Sequence, residues 1–224
     1  LLTSVSHDVS TPLSTILGAS GALIDPSASI AAEQRNRLLG DIHDEAERMV
    51  QLVNNILDLA RYESEKVEPK RDWYPIDEIL ASLMGRVRGR LEGRPIEIHV
   101  TPKNPALVYV DAVMIEQVLV NLIENACRYS PPHSTIRVDV ERSWLTLSVS
   151  VIDQGPGIPQ GQESQIFDKF YGLGTQHHGG GSGLGLAICK AIVDAHKGGI
   201  TARNRAQGGA EFSFTLSMPQ GPES

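Results

Sequence analysis

The sequence predicts a multidomain chain: an all-α helical hairpin that closes as a four-helix bundle in a dimer, followed by an α+β two-layer sandwich. Three observations predict it. Apolar residues recur at helical spacing through about residue 65. A charged, proline-containing stretch, Val67-Glu68-Pro69-Lys70-Arg71, then ends that pattern. Beyond it, helices interleave with short alternating strands that read as mostly antiparallel. The expected boundaries are 1–66 for the helical domain, 67–72 for a linker and 73–224 for the sandwich.

Composition narrows the function classes. Of 224 residues, 41% are hydrophobic and 21% charged, which is ordinary globular usage. Twenty Lys and Arg against 27 Asp and Glu give a net charge of −7, and no basic patch is dense enough for a nucleic-acid partner. No apolar run approaches the roughly 18 residues that span a bilayer, and no signal peptide opens the chain. It starts at Leu1-Leu2 directly in helical pattern, so it is expected to be an excised piece of a longer protein.

Residues 1 to about 24 place Leu2, Val5, Val9, Leu13, Ile16, Leu17, Leu23 and Ile24 on a helical stripe. Within it lies the polar cluster Ser6-His7-Asp8-Val9-Ser10-Thr11-Pro12-Leu13. A neutral histidine is a competent nucleophile near pH 7. Asp8 can hold or deprotonate the ring, and Thr11 lies one turn along the same face as His7. Pro12 lacks an N–H and crowds the carbonyl of residue 8, so a bend is expected beside the histidine. A solvated surface histidine is the alternative for this stretch taken alone.

Asp25-Pro26-Ser27-Ala28-Ser29 breaks the first helix, and Ser29 can cap the next. From 30 to about 65, Leu38, Ile42, Glu45, Met49, Leu52, Ile56, Leu59 and Glu63 step alternately by four and three. That is a heptad seam, which Val53 and Ala60 widen. A stripe wider than one partner covers predicts a second copy of the chain; packing against the remainder of this chain is the alternative.

In the second domain Trp73-Tyr74 reads as a short strand and 76 to about 90 as a helix. Strands follow at 96–100 and 107–110, then an amphipathic helix from 111 or 112 to 129. Residues 135–141 and 145–152 read as a hairpin turning near Arg142-Ser143. A helix over 184–196 begins straight after glycines. The last strands are 200–204 and 211–216, with Gly208-Gly209 as their turn. Cys127 and Cys189 fall in predicted helices among apolar neighbours and read as buried thiols in a reducing compartment.

Four stretches of this domain bear on one task. In Asn121-Leu122-Ile123-Glu124-Asn125-Ala126-Cys127-Arg128-Tyr129, both asparagines share a helix face with Arg128. Amide oxygens suit a Mg²⁺ ion that keeps its waters and shares phosphate oxygens, and Arg128 adds positive charge. Polar surface asparagines on an amphipathic helix are the alternative. Asp153-Gln154-Gly155-Pro156-Gly157-Ile158 follows a strand. Asp153 can accept a hydrogen bond from an adenine amino group, while Gly155 and Gly157 let a flat ring approach the backbone; a tight turn is the alternative. Gly179-Gly180-Gly181-Ser182-Gly183-Leu184-Gly185-Leu186-Ala187-Ile188 feeds glycine amides into a helix N-terminus, an anion site that can also move as a lid. It is neither a dinucleotide fingerprint nor a P-loop, since no suitable strand precedes it and no Gly-Lys-Ser/Thr closes it. Ile166-Phe167-Asp168-Lys169-Phe170-Tyr171 is an aromatic and basic cluster just before that run; a hydrophobic hinge for the lid is the alternative, and both roles can hold together.

These four boxes in this order, behind the histidine box, resemble the sensor histidine kinases of two-component signalling over essentially the whole chain. Residues 1 to about 66 are similar to the dimerisation and histidine-phosphotransfer domain. Residues 73 to 219 are similar to the ATP-binding domain of the gyrase, Hsp90, kinase and MutL type. The runs Val53-Asn54-Asn55-Ile56-Leu57-Asp58-Leu59-Ala60-Arg61 and Ala187-Ile188-Cys189-Lys190-Ala191-Ile192-Val193-Asp194-Ala195-His196 resemble the Kdp-type potassium-responsive kinases.

The resemblance implies ATP and Mg²⁺ as cofactors, a homodimer, and the receiver domain of a response regulator as partner. It implies no nucleic-acid partner, and a cytoplasmic piece of a membrane-anchored sensor whose membrane region lies outside this chain. His7 would be the phospho-acceptor, Asp8 its orienting base, and Thr11 the residue that places water for dephosphorylating the regulator. Asn125, with Asn121, would hold Mg²⁺; Asp153 would read adenine with Tyr129 near the base. Gly181, Gly183, Leu184 and Gly185 would line the phosphate contacts.

Two positions depart from the pattern. Ser10 stands where a basic residue is usual, and Gly172 where an Arg commonly follows the aromatic pair, so Lys169 or Arg128 has to supply charge at the γ-phosphate. These departures motivate an alternative, a non-catalytic dimeric scaffold that binds nucleotide without turnover. A gyrase- or MutL-like ATPase leaves the His7 box unexplained, and Asn121 stands where those enzymes carry a catalytic Glu. His177-His178 is not a family feature and reads as a metal pair or a solvated loop.

Overall fold

The computed structural model describes residues 2–25, 30–63, 68–91, 93–102, 107–171 and 183–220. The chain divides into two compact units, Leu1–Asp58 and Leu59–Ser224, so the last turns of the second helix group with the second unit.

The first unit is helical. Helix α1 spans Leu2–Ile24, continuing through Pro12, and α2 spans Ala32–Glu63. Pro12 removes one rung of the backbone ladder. Just beyond it, Ser14 Oγ donates to the Ser10 carbonyl at 2.8 Å and Thr15 Oγ1 to the Thr11 carbonyl at 3.3 Å. On α1, Pro12 and Ala19 are buried; on α2, Leu38, Ile42, Glu45, Met49, Leu52, Ile56 and Leu59 are all buried or half-buried, as a heptad seam requires. Val53 and Ala60 do not widen that seam. Both are exposed, and with Leu39, Ala46, Val50 and Leu57 they trace a second heptad stripe open to solvent. Leu13, Leu17 and Ile24 are likewise exposed on α1. A two-helix hairpin offers each helix one neighbour, so a second apolar face has nothing to cover it within the unit.

The second unit is an α+β sandwich. Its elements are β1 (Asp72–Pro75), α3 (Ile76–Val87), β2 (Ile96–Thr101), β3 (Leu107–Val110), α4 (Ala112–Tyr129), β4 (Ile136–Arg142) and β5 (Thr146–Ile152). A 3₁₀ turn at Gln165–Phe167, α5 (Gly185–Ala195), β6 (Gly199–Asn204) and β7 (Ala210–Ser217) complete it. Five strands form one sheet in the order β2-β4-β5-β7-β6. Only the β2–β4 pair is parallel, and the chain between them runs through α4, the crossover a parallel neighbour needs. Strands β1 and β3 pair antiparallel in a separate ribbon. Trp73-Tyr74 is therefore a strand, as expected, but lies outside the main sheet; it is only four residues long and ends at Pro75, which cannot donate to a ladder.

Alternation along the strands turns Val138, Val149, Val151, Phe212 and Phe214 away from solvent, and Leu83, Ile115, Leu122, Ile188 and Ile192 of the three helices are buried with them. Asp111 caps α4, its Oδ1 accepting from the Met114 N–H at 3.2 Å.

Candidate nucleotide site and the histidine box

Asp153 stands one residue beyond the end of β5 and is 3% exposed. Its Oδ1 accepts from the Gly155 N–H at 2.8 Å and the Ala210 N–H at 3.0 Å, and its own N–H donates to the Ala210 carbonyl at 3.0 Å. These bonds fix the carboxylate plane. Oδ2 accepts no hydrogen bond among the described residues, so a buried carboxylate presents one committed oxygen and one open oxygen. That is what recognition of an amino group requires.

The glycines beside it are also demanded by the packing of the protein itself. A Cβ on Gly155 would lie 2.8 Å from the Tyr129 carbonyl oxygen, and one on Gly157, at φ +84°, would lie 2.6 Å from Asn204 Oδ1. Protein atoms crowd both positions, so the fold itself requires glycine at each. Asn204 closes β6 and bridges Ile158: Oδ1 accepts from the Ile158 N–H at 2.6 Å and Nδ2 donates to the Ile158 carbonyl at 2.7 Å. Ser130 Oγ, just past α4, accepts from the Gln154 N–H at 3.3 Å. Nothing local in the sequence marks Asn204, Ser130 or Ala210 as part of this site.

On α4 the two asparagines part company. Asn121 is buried; its Oδ1 accepts from Gln117 Nε2 at 3.0 Å and its Nδ2 donates to the Gly185 carbonyl at 3.2 Å, bracing the first residue of α5. Asn125, one turn on, is half-buried, and its side-chain amide has no hydrogen-bond partner among the described residues. Arg128 and Tyr129 are exposed. Of the two amides, Asn125 is the one whose oxygen is open to a hydrated Mg²⁺, and Asn121 acts as a brace.

Gly172, His177, His178 and Gly181 lie outside the described residues. The ends of that segment are side by side: the Phe170 N–H donates to the Gly183 carbonyl at 2.9 Å. A Cβ on Gly183, at φ +61°, would meet the Tyr171 carbonyl oxygen at 2.7 Å. Ile166 and Phe167 are buried and Lys169 is exposed. Leu184 is fully buried, so its side chain belongs to the core and not to a phosphate-contacting surface. The Tyr171 hydroxyl bonds Gln162, and burial, with Tyr129 nearby, lifts its pKa above the ordinary tyrosine value.

The His7 and Asp8 backbones lie in α1, while their side chains fall outside the described atoms. Ser10 and Thr11 are exposed beside buried Pro12. Two further groups are buried in the sandwich. His196 accepts at Nε2 from the Asp111 N–H at 3.2 Å, which leaves Nδ1 to donate to the Ile192 carbonyl at 2.9 Å; burial pushes its pKa down. Cys189 is wholly buried and its thiol is pushed up to about 12, whereas Cys127 is half-buried. No helix among the described residues is long and apolar enough to cross a membrane.

A two-layer sandwich with an aspartate at a central strand end, an asparagine helix beside it and a glycine-led helix packed on that helix defines an ATP-binding domain. Residues 110–220 match the family described as histidine kinase-, DNA gyrase B- and HSP90-like ATPase. Residues 1–65 match the His Kinase A (phospho-acceptor) domain. Together the two matches cover most of the chain, which belongs to the sensor histidine kinases.

The chain is 39% identical over 223 residues to the sensor protein KdpD of Escherichia coli K12, spanning 100% of this chain and 25% of that protein. It is 35% identical over 227 residues to the sensor histidine kinase WalK of Bacillus subtilis, spanning 98% of this chain and 36% of that protein. It thus spans about a quarter of the length of its KdpD relatives. The Acinetobacter baumannii histidine kinase AdeS superposes with a TM-score of 0.73 at 26% identity, covering 95% of this chain and 98% of that one. The histidine kinase ThkA, solved in complex with the response regulator protein TrrA, shares the fold with a TM-score of 0.78 at 22% identity, over 98% of this chain and 61% of that one.

Proposed function

We propose that this chain is the kinase portion of an ATP-dependent sensor: it autophosphorylates His7 and passes the phosphoryl group to an aspartate of a response regulator. The observation that carries the reading is Asp153, buried, with Oδ1 held by two backbone N–H groups and Oδ2 open, in a chain whose first 65 residues match a phospho-acceptor domain. Residues 1–66 would form the dimerisation and phosphotransfer domain, 67–72 the linker and 73–224 the nucleotide-binding domain.

Each residue then has a task. Asp153 Oδ2 accepts from the adenine amino group, and Tyr129 lies near the base. The amide oxygen of Asn125 would hold Mg²⁺, which would supply positive charge to the phosphates, while Asn121 keeps α5 in place against α4. Backbone amides of Gly181 and Gly183, and of Gly185 at the start of α5, would donate to phosphate oxygens. Arg128 and Lys169 supply positive charge that Gly172 does not. Neutral His7 attacks the γ-phosphorus in line: an N–P bond forms, the P–O bond to ADP breaks, and Asp8 holds the proton on the other ring nitrogen. Thr11, exposed on α1, orients water toward the regulator's aspartyl phosphate when the protein acts as a phosphatase.

The second apolar stripe of α2 and the exposed leucines of α1 support a homodimer. The ThkA complex supports a response regulator as the partner, and its receiver domain would be the part engaged. A membrane anchor would lie outside this chain, leaving this portion in the cytoplasm.

Incubation with Mg-ATP should place an acid-labile phosphoryl group on His7, and His7→Ala should abolish the label. Labelling of His7→Ala at the wild-type level would overturn the assignment. Tight ATP binding with no label in the dimer would favour the scaffold reading that Ser10 and Gly172 motivate.

A further inference from the structure

We infer that Asn204 is a positioning residue for base recognition, setting the adenine preference of the site without touching the nucleotide. The inference rests on the reading of Asp153 as the base-reading carboxylate. The loop after β5 supplies the Gly155 N–H that orients Asp153 Oδ1, and that loop is sewn to the β6–β7 turn at both ends. At the near end Asp153 and Ala210 exchange the Asp153 N–H to Ala210 carbonyl bond and the Ala210 N–H to Oδ1 bond, each 3.0 Å. At the far end Asn204 takes both backbone groups of Ile158, at 2.6 and 2.7 Å. Asn204 and Ala210 are register partners across β6 and β7, so one rung of the sheet holds both ends.

Gly157 completes the device. At φ +84° it brings the chain so close to Asn204 that a Cβ would stand 2.6 Å from Oδ1, and only glycine admits the amide there. Gly209 packs its backbone just as closely on the Asp153 carbonyl. Ile158 has no other hydrogen bond among the described residues, so without Asn204 the far end of the loop is held by the buried Ile158 side chain alone.

The consequence is selectivity. Adenine offers an amino donor where guanine offers a carbonyl oxygen, and a carboxylate discriminates between them only while its open oxygen keeps its direction. Loosening the loop costs ATP its base contact. A nucleotide held chiefly through its phosphates loses little.

The test is equilibrium binding of Mg-ATP and Mg-GTP to the full chain, with thermal unfolding in parallel. Asn204→Ala should weaken ATP by about tenfold, the scale of two lost hydrogen bonds, and GTP by less than twofold. Asn204→Asp, which still accepts from the Ile158 N–H but cannot donate to its carbonyl, should fall between. Gly157→Ala should reproduce the Asn204→Ala signature from the other side of the contact. Asp153→Asn is the reference: if it leaves the ATP-to-GTP ratio at the wild-type value, the base-reading role fails and this inference with it. If Asp153→Asn collapses the ratio while Asn204→Ala preserves it, or weakens both nucleotides equally, the positioning role is overturned.

Discussion

On α2 of the first unit, Leu39, Val50, Val53 and Leu57 are 49 to 62% exposed, whereas in the second unit Val138, Val149 and Phe214 of the sheet are at most 1% exposed. The two regions use apolar residues at comparable density but cover them differently. A sheet under three helices satisfies every inward position from within one chain. A hairpin gives each helix a single neighbour, and the second stripe stays exposed within the unit. The burial of the sandwich is therefore met within one chain, and in the proposed homodimer the open stripe of the hairpin would be met by the second copy.

The strongest way to break that contrast is to cut into each face. Ile188→Ala, in the fully buried part of α5, should cost about 3 kcal/mol in denaturant unfolding of the sandwich, unchanged over a hundredfold range of protein concentration. A loss that shrinks as protein is concentrated would mean that the sandwich, too, leans on a partner.

Leu57→Ala should leave the sandwich transition where it is and weaken self-association by about tenfold, read by sedimentation equilibrium, because the side chain lies on the open stripe. An unchanged dimer constant would place the interface elsewhere.

A smaller effect separates the units by pH. Burial, the leading influence, holds His196 below its ordinary value of 6.5; the Ile192 carbonyl and Asp111 pull upward, and Arg71 pulls down. The unfolded chain therefore takes up the proton first as pH falls. Stability is fully present above about pH 6.5 and is lost as pH drops through the folded pKa. The melting temperature of the sandwich should decline from pH 7.5 to 5.5, and His196→Gln, which keeps a donor and an acceptor, should flatten that decline. An equal slope in both proteins would remove His196 as the cause.

The smallest effect is chemical: at pH 8 Cys189 should resist alkylation until the sandwich unfolds, since burial keeps its thiol protonated up to about 12. Mass spectrometry of the native protein should find any early label on Cys127 instead.

Much of the fold was legible because helices and strands are written in near neighbours. The seam from Leu38 to Leu59, the alternation through 136–152 and the glycines ahead of α5 each state their element within a few residues. The order of the boxes likewise announced a nucleotide domain behind a histidine box. Val53 and Ala60 show the limit of that signal: periodicity tells which residues share a face, and not which partner covers it.

Within the site, the sequence by itself determined that Asp153 ends a strand, that Asn121 and Asn125 share a helix and that glycines precede α5. Tertiary structure alone decided what each does. It gave the Asn121 amide to Gly185, sank Leu184 into the core, and crowded Gly155 and Gly157 with Tyr129 and Asn204. It also brought Ala210 and Asn204 to the two ends of the Asp153 loop. The physical reason is the range of the interactions. Backbone periodicity is set within a turn or a pleat, whereas these hydrogen bonds join residues that become neighbours only when β7 pairs with β5 and α5 settles on α4.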